Sequence, residues 1–163
     1  MNPPLTFKVA ATPDEFEAIH ALNYRTFVEE IPQHSPNGER RLVDKFHAEN
    51  TYLIACSGAQ LAGMIALRAR RPFSLDAKLP DLDAHLPPGR RWVEVRLLAV
   101  EKEWRGTAVF AGLMRLLERE VTARGIDAAV VSATTRQRRL YEHLGFESFG
   151  PLVGREGAWY QPM

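Results

Sequence analysis

Between Trp92 and Leu144 the chain switches three times between two periodicities, and this restricts its fold more than any other feature. Trp92 to Val100 reads as a strand. A loop, Glu101 to Gly106, leads into a helical stretch from about Ala108 to Arg124. Its residues Val109, Leu113, Leu116, Leu117 and Val121 form one apolar stripe. Gly125 is a suitable terminator, and Ala128 to Ala133 is the apolar run of a buried strand. Thr134 or Thr135 can cap a short helix that ends at Leu144, before Gly145. Strand–helix–strand units of this kind imply parallel pairing.

The first half has a different grammar. Phe7 to Ala10 alternates as a short strand, and Thr12-Pro13-Asp14-Glu15 then carries the marks of a capped helix start. Phe16, Ile19, Leu22, Tyr24 and Phe27 follow near helical spacing, fading at Ile31-Pro32. Residues 32–41 read as a polar loop and Leu42 to His47 as a second, short helix. Thr51 to Cys56 and Leu61 to Arg68, joined by Ser57-Gly58-Ala59-Gln60, predict an antiparallel hairpin. Prolines at 72, 80, 87 and 88 break residues 71–90 into an irregular excursion, either a cover for a site or a solvated loop. Phe146 to Phe149 and Ala158 to Gln161 are the last strand candidates. The expected class is therefore α/β of the α+β type: a mixed, mostly antiparallel sheet with helices on both faces. No repeat or linker is visible, so residues 1–163 are expected to form one domain.

Composition removes several function classes. A formal net charge of +1 offers no bulk field for nucleic acid or an anionic membrane, and neither is expected as a partner. No apolar stretch is long enough to span a bilayer, and Met1 to Thr6 carries no leader pattern. The single cysteine, Cys56, cannot form an internal disulfide; it points to a reducing, cytoplasmic setting and reads as a buried small hydrophobe. The five histidines (20, 34, 47, 85 and 143) show no metal-ligand spacing, so no metal is expected. The basic run Arg68, Arg70, Arg71 reads as a solvated strand end, and Arg136, Arg138 and Arg139 as a solvated helix face. A homodimer is compatible with the sequence but not readable in it.

The chemistry-bearing segment is the strand–loop–helix junction. Free amides at a helix start favour an anionic group. Arg105 adds a planar donor fork, and Gly106 permits backbone geometry that other residues resist. Together they make a cradle suited to a pyrophosphate. In Leu140-Tyr141-Glu142-His143-Leu144-Gly145-Phe146, the Tyr141 hydroxyl can either hand a proton to a departing thiolate or simply accompany an aromatic packed on the sheet. Glu94 and Arg96 fall on one face of their strand, Val95 and Leu97 on the other. A carboxylate and a guanidinium side by side mark a polar cavity or a structural ion pair, since burying either alone is costly.

These two motifs carry a resemblance. Arg105-Gly106-Thr107-Ala108-Val109-Phe110 is similar to the Arg/Gln-x-x-Gly-x-Gly/Ala loop of the GNAT N-acetyltransferase superfamily, and Leu140 to Phe146 resembles its Leu-Tyr-x-x-x-Gly-Phe signature. The element order agrees along nearly the whole chain. The resemblance implies a V-shaped split between two central strands. Backbone groups of Leu98, Ala99 and Val100 would pair with a pantetheine arm, and amides from Arg105 to Phe110 would hold a pyrophosphate. Tyr141 would be the general acid and Glu94 the candidate base. The implied activity is N-acetyl transfer from acetyl-CoA, or another acyl-CoA, to a small-molecule or peptide amine.

A narrower resemblance is to the N-acyl amino acid synthases and acyl-homoserine-lactone synthases, which share this fold and draw acyl chains from acyl carrier protein. It rests on Tyr24 to Glu30 (with Arg25 and Phe27), on Asp44, and on Glu94 with Arg96, each pair spaced one residue shorter than the pattern. Ala108 and Phe110 stand where the wider superfamily has glycines, which suits a donor that brings phosphopantetheine without a nucleotide. A third reading is a non-catalytic acyl-thioester sensor within a longer chain, motivated by the abrupt end at Gln161-Pro162-Met163. Acceptor specificity is expected in residues 24–47 and 71–90.

Overall fold

A computed structural model describes residues 3–163; Met1 and Asn2, at the start of the segment read above as lacking a leader, lie outside them. Among the described residues seven strands are hydrogen-bonded in the order β1-β2-β3-β4-β5-β7-β6. They are β1 (Leu5–Val9), β2 (Thr51–Ser57), β3 (Gln60–Arg68), β4 (Trp92–Val100), β5 (Ala128–Thr134), β6 (Val153–Arg155) and β7 (Ala158–Pro162). The β1–β2, β2–β3, β5–β7 and β6–β7 pairs are antiparallel and β4–β5 is parallel. The mixed, mostly antiparallel sheet is thus present. No described helix is long and apolar enough to cross a membrane. The chain divides into two compact units.

The first unit holds residues up to 67 together with 97–124. Its hairpin turns at Gly58, whose φ of +58° is open to glycine at little cost. Between Ala55↔Gly63 and Cys56↔Leu61 the register shifts by one residue, leaving Ala62 as a bulge in β3. Helix α1 (Pro13–Tyr24) starts as its sequence dictates: the Thr12 hydroxyl accepts from the Glu15 amide at 3.3 Å, and the Glu15 carboxylate accepts from the Thr12 amide at 3.1 Å. Lys8 pairs with Glu15, and this contact above all holds its carboxyl down at about 2. Ile19, Leu22 and Phe27 bury against Tyr52, Ile54, Met64, Ala66 and Ala99. Helix α4 (Ala108–Ala123) lays Val109 and Leu113 on Ala55 and Ala62, and Gly112 lies against the ring of Phe7.

The helix expected over Leu42 to His47 does not form. The Leu42 amide donates to the His20 carbonyl at 3.0 Å, and only a short turn of 3₁₀ helix at His47–Glu49 follows. A long-range partner replaced the local one.

The second unit holds residues 68–96 and 125–163. Here β4 and β5 pair from Trp92↔Ala128 to Val95↔Val131, after which β5 pairs with β7. The excursion at 71–90 contains two short helices, α2 (Ser74–Lys78) and α3 (Leu82–His85). Phe73, Leu75, Leu79, Leu82 and Leu86 anchor it on Val130 and Val153, so it is core rather than solvated loop. Helix α5 (Arg138–His143) starts after Gln137 instead of at a threonine cap. Phe146 to Phe149 is not a strand; β6 is the partner of β7.

Candidate active site

Glu94 is fully buried near the middle of β4. Its carboxylate accepts from the Ser74 amide at 2.9 Å, the Leu75 amide at 3.3 Å, the Ser74 hydroxyl, and Arg96 Nη1 at 3.3 Å. The amides belong to the first turn of α2, whose unpaired N–H groups suit an anion. The sequence pairing of Glu94 with Arg96 is therefore real, and Ser74 is the member it left unannounced. Of the neighbouring basic run, Arg70 and Arg71 are exposed as expected, Arg71 pairing with Asp76 and Asp83, but Arg68 is 1% exposed and donates from Nε to the Pro72 carbonyl at 2.7 Å. These bonds tie the excursion to itself, and the Ser74 and Leu75 bonds to Glu94 tie it to β4.

Beyond Arg96 the strand changes character. Leu97 has a φ of +53°, a left-handed conformation that a branched side chain resists. The last β4–β5 partner, Val95, lies two residues earlier. Leu98 and Ala99 are buried and Val100 is half-buried. The Glu101 amide donates to the Ala62 carbonyl at 3.0 Å, fixing where the loop leaves the strand.

That loop makes one 3₁₀ turn at Lys102–Trp104 and then enters α4 through Gly106 at φ +74°. Nothing lies within 4 Å of the position a Cβ would take at Gly106. Thr107 caps the helix, accepting from the Val109 amide at 3.3 Å and donating its hydroxyl to the Trp104 carbonyl at 2.6 Å. The Arg105 and Thr107 amides donate to the Lys102 and Trp104 carbonyls, both at 3.3 Å. The first-turn amides of Ala108 and Phe110 have no intrahelical acceptor. Arg105 through Ala108 are exposed, Val109 is fully buried in the core, and Phe110 is half-buried.

Arg105 itself is engaged. Its Nη2 donates to both Glu30 oxygens at 2.9 Å, and its Nε donates to the Val100 carbonyl at 3.0 Å. Glu30 ends a π-helical continuation of α1, Arg25–Glu30, in which the Ile31 amide reaches back to the Thr26 carbonyl at 2.9 Å. Such wide turns recur at functional sites. At its other end Arg25 pairs with Glu101. Phe27 is buried in the first core, and Asp44 accepts from Asn50 at 2.7 Å and from the Phe46 amide at 3.2 Å.

Tyr141 lies on α5, 4% exposed, packed with Val131, Ala133 and Met163 and edge-on to Phe146. Burial pushes its phenol up to about 12. It is therefore protonated throughout the neutral range.

A family model described as "N-acyl amino acid synthase FeeM" matches residues 18–161. The chain belongs to this family. It is thus an acyltransferase of the N-acyl amino acid synthase group, on the narrower of the two resemblances read from the sequence. A CoA-dependent acyl-homoserine lactone synthase, BjaI, solved with SAM and isopentyl-CoA, has the same fold with a TM-score of 0.81 at 21% identity, over 98% of this chain and 82% of that one. FeeM, an N-acyl amino acid synthase from uncultured soil microbes, gives 0.75 at 20% identity, over 98% and 88%. An acyl-CoA N-acyltransferase from Pseudomonas aeruginosa gives 0.65 at 18% identity, over 98% and 97%. A comparison with curated protein sequences returned no match. All three neighbours share the GNAT-like fold expected from the two sequence motifs.

Proposed function

We propose that this chain joins an acyl group, carried as a phosphopantetheine thioester, to the amine of an amino-acid-like acceptor. The observation that carries this reading is the family match across residues 18–161. The family-like Leu140 to Phe146 segment, which carries Tyr141, supports it. The acceptor amine, once neutral, attacks the thioester carbonyl. The C–N bond forms, the C–S bond breaks, and the departing thiolate takes its proton from Tyr141; the amine proton leaves to a base or through water. Leu98, Ala99 and Val100 offer the pantetheine amides a strand edge, and the exposed start of α4 takes the phosphate.

Glu94 enters this scheme as a positioning residue. Its oxygens already accept from four donors, and acting directly as the base would mean giving one up. It holds Arg96 and the start of α2 instead. Acetyl-CoA remains the simplest donor to try; Ala108 and Phe110, where the wider superfamily has glycines, speak for a longer chain brought on carrier protein.

The test is a mass-spectrometric search for N-acyl products, with purified protein, acyl-carrier-protein and acyl-CoA donors of several chain lengths, and a panel of amino acids. Long-chain N-acyl amino acids are expected. Clean transfer of acetyl alone, or no amide from any donor, would overturn the reading.

A further inference from the structure

At the mouth of α4 the cations are held in ion pairs: Arg25 pairs with Glu101, Arg40 with Glu29 and Arg105 with Glu30. Arg105, the one guanidinium within the cradle, is bound by both oxygens of Glu30 and by the Val100 carbonyl. The pair is half in solvent, with side-chain exposures of 46% and 24%. An ion pair of that kind is weak, so a ligand phosphate can exchange for Glu30, but only in competition with the carboxylate it displaces.

We infer that Glu30 is a donor-selecting residue: it competes with the ligand's phosphates for Arg105. This rests on the proposed function and deepens it. A carrier-bound arm presents one phosphodiester at the cradle, whereas CoA brings a pyrophosphate and a 3′-phosphate. Each added phosphate meets Glu30 and its neighbouring carboxylates, so the latch penalises CoA more than phosphopantetheine. The cause is local: the π-helical turn places Glu30 at Arg105, 75 residues away in sequence.

The experiment measures binding of CoA and of 4′-phosphopantetheine by calorimetry, in the full chain and in Glu30→Gln, Arg105→Gln and the double variant. Glu30→Gln should tighten CoA by about three- to tenfold and phosphopantetheine by less than about twofold. In the Arg105→Gln background the gain should disappear. Far-ultraviolet circular dichroism of each variant checks that the fold is kept; if Glu30→Gln does not fold, Glu30→Asp, which keeps the charge but shortens the reach, takes its place and should shift the same ratio in the same direction. Equal changes for both ligands, no change for CoA, or a gain that survives without Arg105 would overturn the inference. Because binding is read directly, it is judged even if no amide product is ever found, an outcome that would sink only the proposed reaction.

Discussion

Ser74 donates both its backbone amide and its hydroxyl to the carboxylate of Glu94, so one residue of α2 caps a buried charge on β4. The helix has only five residues and little reason to form alone. Its first turn and Glu94 satisfy each other: the amides gain an acceptor, and a carboxylate shut off from solvent gains donors.

The size of this coupling can be measured. Ser74→Ala removes one donor and leaves three, so a loss of about 1–3 kcal/mol is expected by urea denaturation. Glu94→Gln is worse, because its new NH₂ group faces amide donors; about 3–5 kcal/mol is expected. If Ser74→Ala is neutral, the hydroxyl bond is not a stabilising one.

Tyr141 predicts a pH signature. Its phenol stays protonated until about pH 12, so the kcat profile should show no loss of proton donation near the ordinary tyrosine value of 10. Tyr141→Phe should lower kcat by about a hundred- to ten-thousandfold, with KM nearly unchanged. An alkaline limb near pH 10 that vanishes in Tyr141→Phe would show that the hydroxyl is far less buried than its surroundings indicate.

What the sequence revealed and what it hid divide along the range of the interactions. The capping box at Thr12 and Glu15 lies within one turn, and the helix expected from Ala108 is found at Ala108–Ala123. The β2–β3 hairpin follows from a short turn with glycine at its bend. By contrast α2 and α3 are held by Phe73, Leu75 and Leu82 against a core that no local pattern announces. Leu97 turns left-handed just past the end of a ladder formed by residues 128–131. Arg105, Gly106 and Tyr141 stand out in the sequence because their motifs are contiguous. Their partners do not: Glu30 stands 75 residues from Arg105, and Ser74 stands 20 from Glu94. A run of prolines with Ser74-x-Asp76 behind it was the one signal that a helix start lay there.

Gly112 makes a packing prediction. A Cβ there would run into the ring of Phe7, so Gly112→Ala forfeits its gain in helix propensity and should lose about 1–3 kcal/mol. Shrinking the ring should relieve it. In a double-mutant cycle with Phe7→Leu the two changes should couple favourably by more than about 0.5 kcal/mol. Strict additivity would mean that the helix moves instead.

His20 makes the chain acid-sensitive in a defined window. Its ring is 3% exposed, its centroid 4.6 Å from that of His47, and burial holds its pKa below the usual 6.5, with the His47 charge pushing the same way. Arg41 also lowers it, and Glu17 opposes them. The folded state therefore prefers the neutral ring. Below pH 6.5 the unfolded chain binds this proton first, so stability present above that value is lost as pH falls toward the lower folded pKa. Glu15 acts in a separate window, from its ordinary 4.5 down to about 2, where protonation removes its bond to Lys8. Thermal melts between pH 7.5 and 5 should show a falling midpoint in the natural chain and a shallower fall in His20→Leu, whose side chain cannot titrate and whose loss leaves no acceptor stranded at Nδ1. Parallel curves for the two would place the acid sensitivity at another group.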